Sequence, residues 1–342
     1  MSSRGFMRRS HLLVAPIILA FFFTSHADGS GEGLNLLAQV GTIRLDAVEG
    51  RIDHLGFDAA SNRLLVAALG NGTVEVVDLT LSTVTKQIKN LRAPQGIGFA
   101  PESNRLAVAN AQDGSLRLYD GTSLEPVATI DLKRDADNIR YDAASHRFWV
   151  GYGDGGLAAI DPESGRQVAD IKLDAHPESF QLETKGNRIF VNVPKADRVV
   201  IIDRKKVRVI EKFPLKGGVM NFPMALDERN KRLFIGCRHP AELLVLDMDS
   251  GKMVARLHVV GDTDDLYYDA ANQRIYVSGG EGRVTVIKQL GGDIYETAGQ
   301  VPTAPGARTS FFVSETQTLY VAVPHRGEQK AEIRIFKVAD EK

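Results

Sequence analysis

Residues 104–130 read NRLAVANAQDGSLRLYDGTSLEPVATI. Arg105 leads a short apolar run, Leu106 to Ala109, and Asp113-Gly114 follows as a hairpin signal. Leu116 to Tyr119 then alternates apolar and polar residues, and Pro126 to Ile130 forms a more polar run after another turn. Upstream, Ile97 to Asn104 (IGFAPESN) adds an apolar run that ends in an acidic turn. The stretch therefore predicts four short strands and no helix.

The same unit recurs along the chain. Arg63-Leu-Leu-Val, Arg105-Leu-Ala-Val, Arg147-Phe-Trp-Val, Arg188-Ile-Phe-Val, Arg232-Leu-Phe-Ile and Arg274-Ile-Tyr-Val are spaced by 42, 42, 41, 44 and 42 residues, and Thr318-Leu-Tyr-Val makes a seventh copy. Each is followed by an alternating strand: TVEVVD, SLRLYD, GLAAID, RVVIID, ELLVLD, RVTVIK and EIRIFK. Four short strands repeated at this period predict an all-β, seven-bladed β-propeller with four-stranded antiparallel blades. The last unit stops after EIRIFKV, without a fourth strand, while Ala38 to Leu45 (AQVGTIRL) is a strand with no blade of its own. The last blade is therefore expected to be closed by the N-terminal strand, which removes two free sheet edges.

Composition fits one large globular unit. The chain has 342 residues, 43 % hydrophobic and 25 % charged, with 32 Gly and 13 Pro, which excludes disorder and a collagen-like fibre. One cysteine, Cys237, excludes a disulfide scaffold. A net charge of -1 gives no basic excess for nucleic acid.

At the front, Arg4, Arg8 and Arg9 precede an apolar run from Leu12 to Phe23 and then Ser25-His26-Ala27, the pattern of a cleaved secretory signal. Residues 1–27 are expected to be removed, an uncleaved N-terminal anchor being the alternative, with 28–36 a flexible lead-in and 37–342 the propeller. The remaining 315 residues give 45 per blade; taking the three Arg from 42 basic residues leaves 39 against 43 acidic, a charge of -4. A periplasmic or extracellular location follows, with no transmembrane span in the mature protein, a buried Cys237 and a monomeric ring.

Blade two carries a resemblance. Ala107-Val108-Ala109-Asn110, the strand Leu118-Tyr119-Asp120, the run Val127-Ala128-Thr129-Ile130 and Pro94 to Phe99 are similar to the YVTN-type repeat of exported, YncE-like seven-bladed propellers. The resemblance implies the fold and export; it does not imply a chemistry.

In a propeller the innermost strands line a central channel. Aligned on that strand, Asp53, Gln95, Asp137, Glu178, Phe222, Asp264 and Thr309 share one level, next to His54, Gly96, Asn138, Ser179, Pro223, Asp265 and Ser310. Converging carboxylates repel unless a cation, protons or basic side chains neutralise them. A divalent cation such as Ca²⁺, held by Asp53, Asn138, Glu178 and Asp264, is one solution; hydrated acids that cap turns are another. Arg308 is a cation expected to neutralise Asp53 or Asp264, and Phe222 an apolar wall. His54, His176 and His239 lie at different offsets from their strands, so they are not expected to converge, and His176-Pro177-Glu178 is a candidate acid/base pair. The repeated Arg is expected to be structural, bridging to Asp58 or Asp142 in its own turn. Arg204, Lys205, Lys206 and Arg208 read as a solvated hairpin.

No Ser-His-Asp, HExxH or CxxC pattern is present. The expected function is a module that binds a small ligand or an envelope protein at the face and mouth of its channel. The alternative is a metal-dependent, lactonase-like hydrolase using the axial carboxylates, with no cofactor demanded by any motif.

Overall fold

The computed structural model describes Met1, Ser2 and residues 36–291 and 293–339. Apart from Met1, Ser2 and Leu36, the export segment 1–27 and the lead-in 28–36 lie outside the described residues. Seven four-stranded antiparallel sheets follow one another along the chain. Blade one runs from Leu55 to Ile88, blade two from Pro94 to Asp131, blade three from Ala136 to Lys172 and blade four from Phe180 to Pro214. Blade five runs from Val219 to His258 and blade six from Thr263 to Pro302. Blade seven joins Ser310–Val313, Thr318–Val323 and Glu332–Val338 to the N-terminal strand Leu37–Arg44. That strand pairs antiparallel with Glu332–Val338 from Leu37 opposite Val338 to Arg44 opposite Glu332, one residue earlier than the sequence places it.

The packing explains why middle strands such as Arg63–Ala68 and Thr73–Asp78 read as apolar runs: each sheet is covered on both faces by its neighbours. The core is divided into clusters, each shared by two adjacent blades. One of them joins Ile43, Leu45, Val313 and Ile333 of blade seven and its lead-out to Leu55, Leu64 and Val66 of blade one, which closes the ring. Fourth strands such as Thr83–Ile88 are mostly exposed. The only helices among the described residues are three-residue 3₁₀ turns, and no helix there is long and apolar enough to cross a membrane.

Several of the repeated arginines act both within a blade and between blades. Arg63 pairs with Asp58 at 2.6 Å and also donates to the Gly121 carbonyl of blade two. Arg188 holds Glu183 at 2.6 Å and reaches Asp249 of blade five at 3.0 Å, while Arg232 reaches Asp293 of blade six at 2.7 Å. Asp142, expected to pair within its own turn, instead lies 3.4 Å from Arg204 of blade four. Arg204 is therefore a buried clamp and not part of a solvated hairpin, because its guanidinium also donates to the Gly186 carbonyl. Asn110, the last residue of the blade-two tetrad, donates to the Val108 and Ser115 carbonyls and accepts the Arg92 N–H. Its side chain satisfies backbone groups at the hairpin.

Cys237 is buried, and that burial pushes its thiol up to about 12, so it is an inert core residue.

Candidate ligand site at the channel mouth

The innermost strands enter the channel through a shared irregularity. In blade one the Asp53 N–H donates to the Ala67 carbonyl, while the Ala67 N–H donates to the His54 carbonyl. Asn192 faces Glu178 and Ser179 in the same way. Register shifts at Pro94/Ile97, Ala136/Ile139, Asn221/Met224 and Thr263/Asp265 mark the same place in blades two, three, five and six. Two residues thus oppose one, which is a β-bulge, and bulges re-aim side chains. Asp53 and His54, or Asp137 and Asn138, can therefore both reach the axis instead of alternating across the sheet. Two positions before the first aligned residue, the backbone is left-handed in four blades: φ is 54° at Ala93, 43° at Asp135, 57° at Met220 and 55° at Asp262. Aspartate tolerates that conformation better than most residues, and it turns the chain inward.

The result is a cavity of about 500 Å³ at one mouth of the channel. Asp53, His54, Gln95, Asp137, His176, Glu178, Phe222, Asp264 and Arg308 of the expected set line it. Asn138 stands behind them, its Nδ2 3.1 Å from His54 Nε2. Asp265 faces the other side, where it lines a second cavity of about 450 Å³ that is rich in aromatic side chains. His54 lines both cavities and so stands between them.

Two of the three histidines do converge. His54 Nε2 lies 3.9 Å from Asp137 Oδ1 and His176 Nε2 lies 3.7 Å from Asp137 Oδ2, while His239 is exposed and apart. Different offsets along the chain are offset by different loop paths: His176 sits two positions before the aligned Glu178, yet its Nδ1 is anchored 2.6 Å from the Gly153 carbonyl of blade three.

Basic groups also differ from expectation. Arg308 pairs with Asp262 at 2.9 Å, not with Asp53 or Asp264. The partner of Asp53 is Arg51, at 2.6 Å, which also approaches Asp264 to 4.0 Å. Arg238 takes Asp264 at 2.7 Å and lies 3.9 Å from the centre of the Phe222 ring. Phe222 is thus a platform for a cation as well as an apolar wall. Arg51, Asp135, Lys195, Asp197 and Arg238 line the cavity without having been singled out from the sequence. Arg51 and Asp135 fall at the aligned position two before the chosen level, where the repeat would have revealed them. Lys195, Asp197 and Arg238 come from the ends of second strands and the turns after them, where no repeating residue type marks a channel position.

The crowding of acids shifts protonation. Burial raises Glu178 to about 8, helped by Asp137, and raises Asp264 to about 6 against the pull of Arg238. Burial also raises Asp53 and Asp135. For His54, burial opposes the charge, but Asp265, Asp53 and Asp137 outweigh it and lift the imidazole to about 10. His176 rises to about 9 because Asp137 and the Gly153 carbonyl likewise outweigh burial. Burial is the main cause of the raised carboxyls, and Arg51, His54, His176, Lys195, Arg238 and Arg308 share the cavity with the acids, so protons and basic side chains together offset the acid cluster.

Gly96 fixes the spacing of blades two and three at this level. A Cβ there would overlap the Asp137 carbonyl and come within 3.0 Å of Ile139 Cγ1. Gly96→Ala is expected to lower stability by about 1–3 kcal/mol, as overpacking does. Urea denaturation checks this; an unchanged midpoint would show that the strand gives way freely.

No family model matches the sequence, and no curated protein matches it. Among solved structures, one similar chain belongs to the hydrazine synthase of Kuenenia stuttgartiensis, with a TM-score of 0.72 and 16 % identity over 83 % of this chain and 95 % of that one. Another comes from a crystal structure of a mitotic checkpoint complex, with a TM-score of 0.75 and 11 % identity over 99 % of this chain and 100 % of that one. The chain is a seven-bladed β-propeller. At these identities the likeness extends to the fold alone, an architecture that can serve as an interaction module.

Proposed function

We propose that this propeller is an exported, YncE-like binding module whose channel mouth takes a small polar ligand bearing a positive group. The observation that carries the reading is the mouth cavity, in which Asp53, Asp135, Asp137, Glu178 and Asp264 converge and four of these carboxyls are held above their ordinary pKa. A cation brought among them lets the acids ionise, and perturbed acids gathered in one cleft support a binding-site reading. Phe222 lines the same cavity, with the Arg238 guanidinium 3.9 Å from its ring centre. Export rests on residues 1–27, and the YncE-like assignment rests on the blade-two repeat.

Calorimetry with simple probes (arginine, choline and spermidine) tests the reading. Because Glu178 and Asp264 must lose protons to hold a cation, affinity for the tightest probe should rise at least threefold from pH 6 to pH 8.5, and Glu178→Gln should flatten that rise. Absence of binding by every probe, or binding that weakens with pH, overturns it. Cell fractionation and N-terminal sequencing test export.

A hydrolase is the second reading, favoured by one observation: burial raises Glu178 to about 8 in the cavity it shares with His176, which suits a general acid. A panel of lactones decides it, since turnover abolished by Glu178→Gln supports hydrolysis and no turnover removes it.

A further inference from the structure

The floor of the mouth cavity has a donor arrangement that an organic ligand does not explain. Asp53 Oδ1 lies 3.6 Å from His54 Nε2, and Asp137 Oδ1 lies 3.9 Å from the same nitrogen. One ligand atom from each of the three residues falls within 4.8 Å of the others. Atoms bound to one ion at about 2.0–2.2 Å are separated by roughly 3–4.2 Å, so the two distances to the imidazole already suit a shared ion.

Two further observations point to the same spot. Asp137 Oδ1 and Asn138 Oδ1 have no hydrogen-bond partner, although Asp137 is 4 % exposed and Asn138 2 %. Buried acceptors are rarely left unpaired unless an ion or water completes them. The Asn138 amide already meets His54 Nε2 at 3.1 Å, and turning it over brings Oδ1 to that position. On the far side of the ring, Asp265 Oδ1 is 3.6 Å from His54 Nδ1, and Asp265 Oδ2 accepts the Ser310 N–H at 2.8 Å. A fixed carboxylate behind the second nitrogen is how a metal-ligating histidine is oriented. Arg51 engages the other oxygen of Asp53, at 2.6 Å, while Oδ1 accepts the His54 backbone N–H at 3.1 Å and keeps a lone pair for the ring side.

We infer that the channel floor is a site for a first-row divalent metal ion of the Zn²⁺ or Mn²⁺ type, held by His54 Nε2, Asp53 Oδ1, Asp137 Oδ1 and Asn138 Oδ1, with the Nε2 proton of His54 released to solvent on binding and Asp265 as the positioning residue. One imidazole among three oxygens selects such ions over Ca²⁺, which takes oxygen ligands. The grouping also differs from the set expected from sequence, because Glu178 and Asp264 line the cavity while His54 and Asp137 take their places at the floor. A metal here leaves the rest of the cavity open above it. The inference goes beyond the ligand reading and does not depend on it.

The purified protein, stripped with a chelator and shown to be folded by its circular dichroism, is titrated with Zn²⁺, Mn²⁺ and Ca²⁺ alone by calorimetry. One Zn²⁺ or Mn²⁺ ion per chain is expected, bound more tightly than Ca²⁺. His54→Gln should abolish that site, and Asp265→Asn should weaken it by about 10–100-fold, as second-sphere changes do. Co²⁺ in the same protein should give a visible d–d spectrum that His54→Gln removes. If either variant fails to fold, the wild-type stoichiometry and the Co²⁺ spectrum still decide. No stoichiometric ion in folded wild-type protein, a preference for Ca²⁺, or a site unaffected in folded His54→Gln protein overturns the inference. Probe binding by arginine, choline or spermidine is read separately in chelated protein, so either result can fail alone.

Discussion

A chain lacking residues 37–45 is expected to melt at least about 12 °C below the intact propeller or to aggregate during purification, a bound that follows from the scaling of about 2–4 °C per kcal/mol for large domains. The deletion removes Leu37, Ile43 and Leu45, all buried, from the two clusters that flank blade seven. Each such loss from a packed core costs about 2–5 kcal/mol, and three together approach the total stability of about 5–15 kcal/mol of an ordinary domain. The deletion also strips the partner from Glu332–Val338, whose free N–H and C=O groups then form an open edge that invites association. Ile43→Ala is the gentler form and should cost about 2–5 kcal/mol while leaving the ring closed. Scanning calorimetry with light scattering checks both; a truncated protein that melts with the intact one would mean that blade seven is complete without its outer strand.

Stability should also fall as the medium becomes alkaline. His54 and His176 are raised to about 10 and about 9, and Glu178 and Asp264 to about 8 and about 6. All four therefore hold their protons more tightly in the folded chain than in the unfolded one. Their contribution is fully present below the unfolded values and is lost as pH rises through the folded ones, a window from about 6 to about 10. Since the native state binds the extra protons, the slope of stability with pH is negative there. One proton retained over two pH units is worth about 2.7 kcal/mol. Acids at turns, such as Asp113, Asp120 and Asp161, are lowered, so they titrate in acid and leave this window clear. Urea midpoints at pH 7 and pH 9.5 are expected to differ by at least the equivalent of one such proton, and His54→Gln should shrink the difference. Equal midpoints, or a rise with pH, would mean that the axial groups are neutral or already paired without cost.

The fold was legible because the repeat is redundant. Six Arg-led strands at nearly constant spacing count the blades, and an incomplete last unit together with an orphan first strand implies closure. The repeated arginines are structural, as the repeat implies, but beyond an acid of their own blade some also reach the next one, as Arg188 does with Asp249 and Arg232 with Asp293, while Asp142 meets Arg204 of blade four. Repeat alignment gives a residue's height in its own blade and not its distance from a neighbour's side chain. In the site, the aligned level reaches Asp53, Gln95, Asp137, Glu178, Phe222 and Asp264, and Arg51 and Asp135 stand two positions earlier, at a second level that the same alignment marks.

The sequence by itself determined the number of blades, their closure and the excess of acids at one level of the channel, since each follows from local periodicity repeated seven times. Only the tertiary structure decided which charges meet. The bulges let consecutive residues such as Asp53 and His54 face the axis together, against the alternation a regular strand imposes. Ring closure then sets Asp53, Asp137 and Asp265 around one imidazole, although they are far apart along the chain. Burial there makes their mutual field strong enough to reset their protons, because charges removed from water are poorly screened.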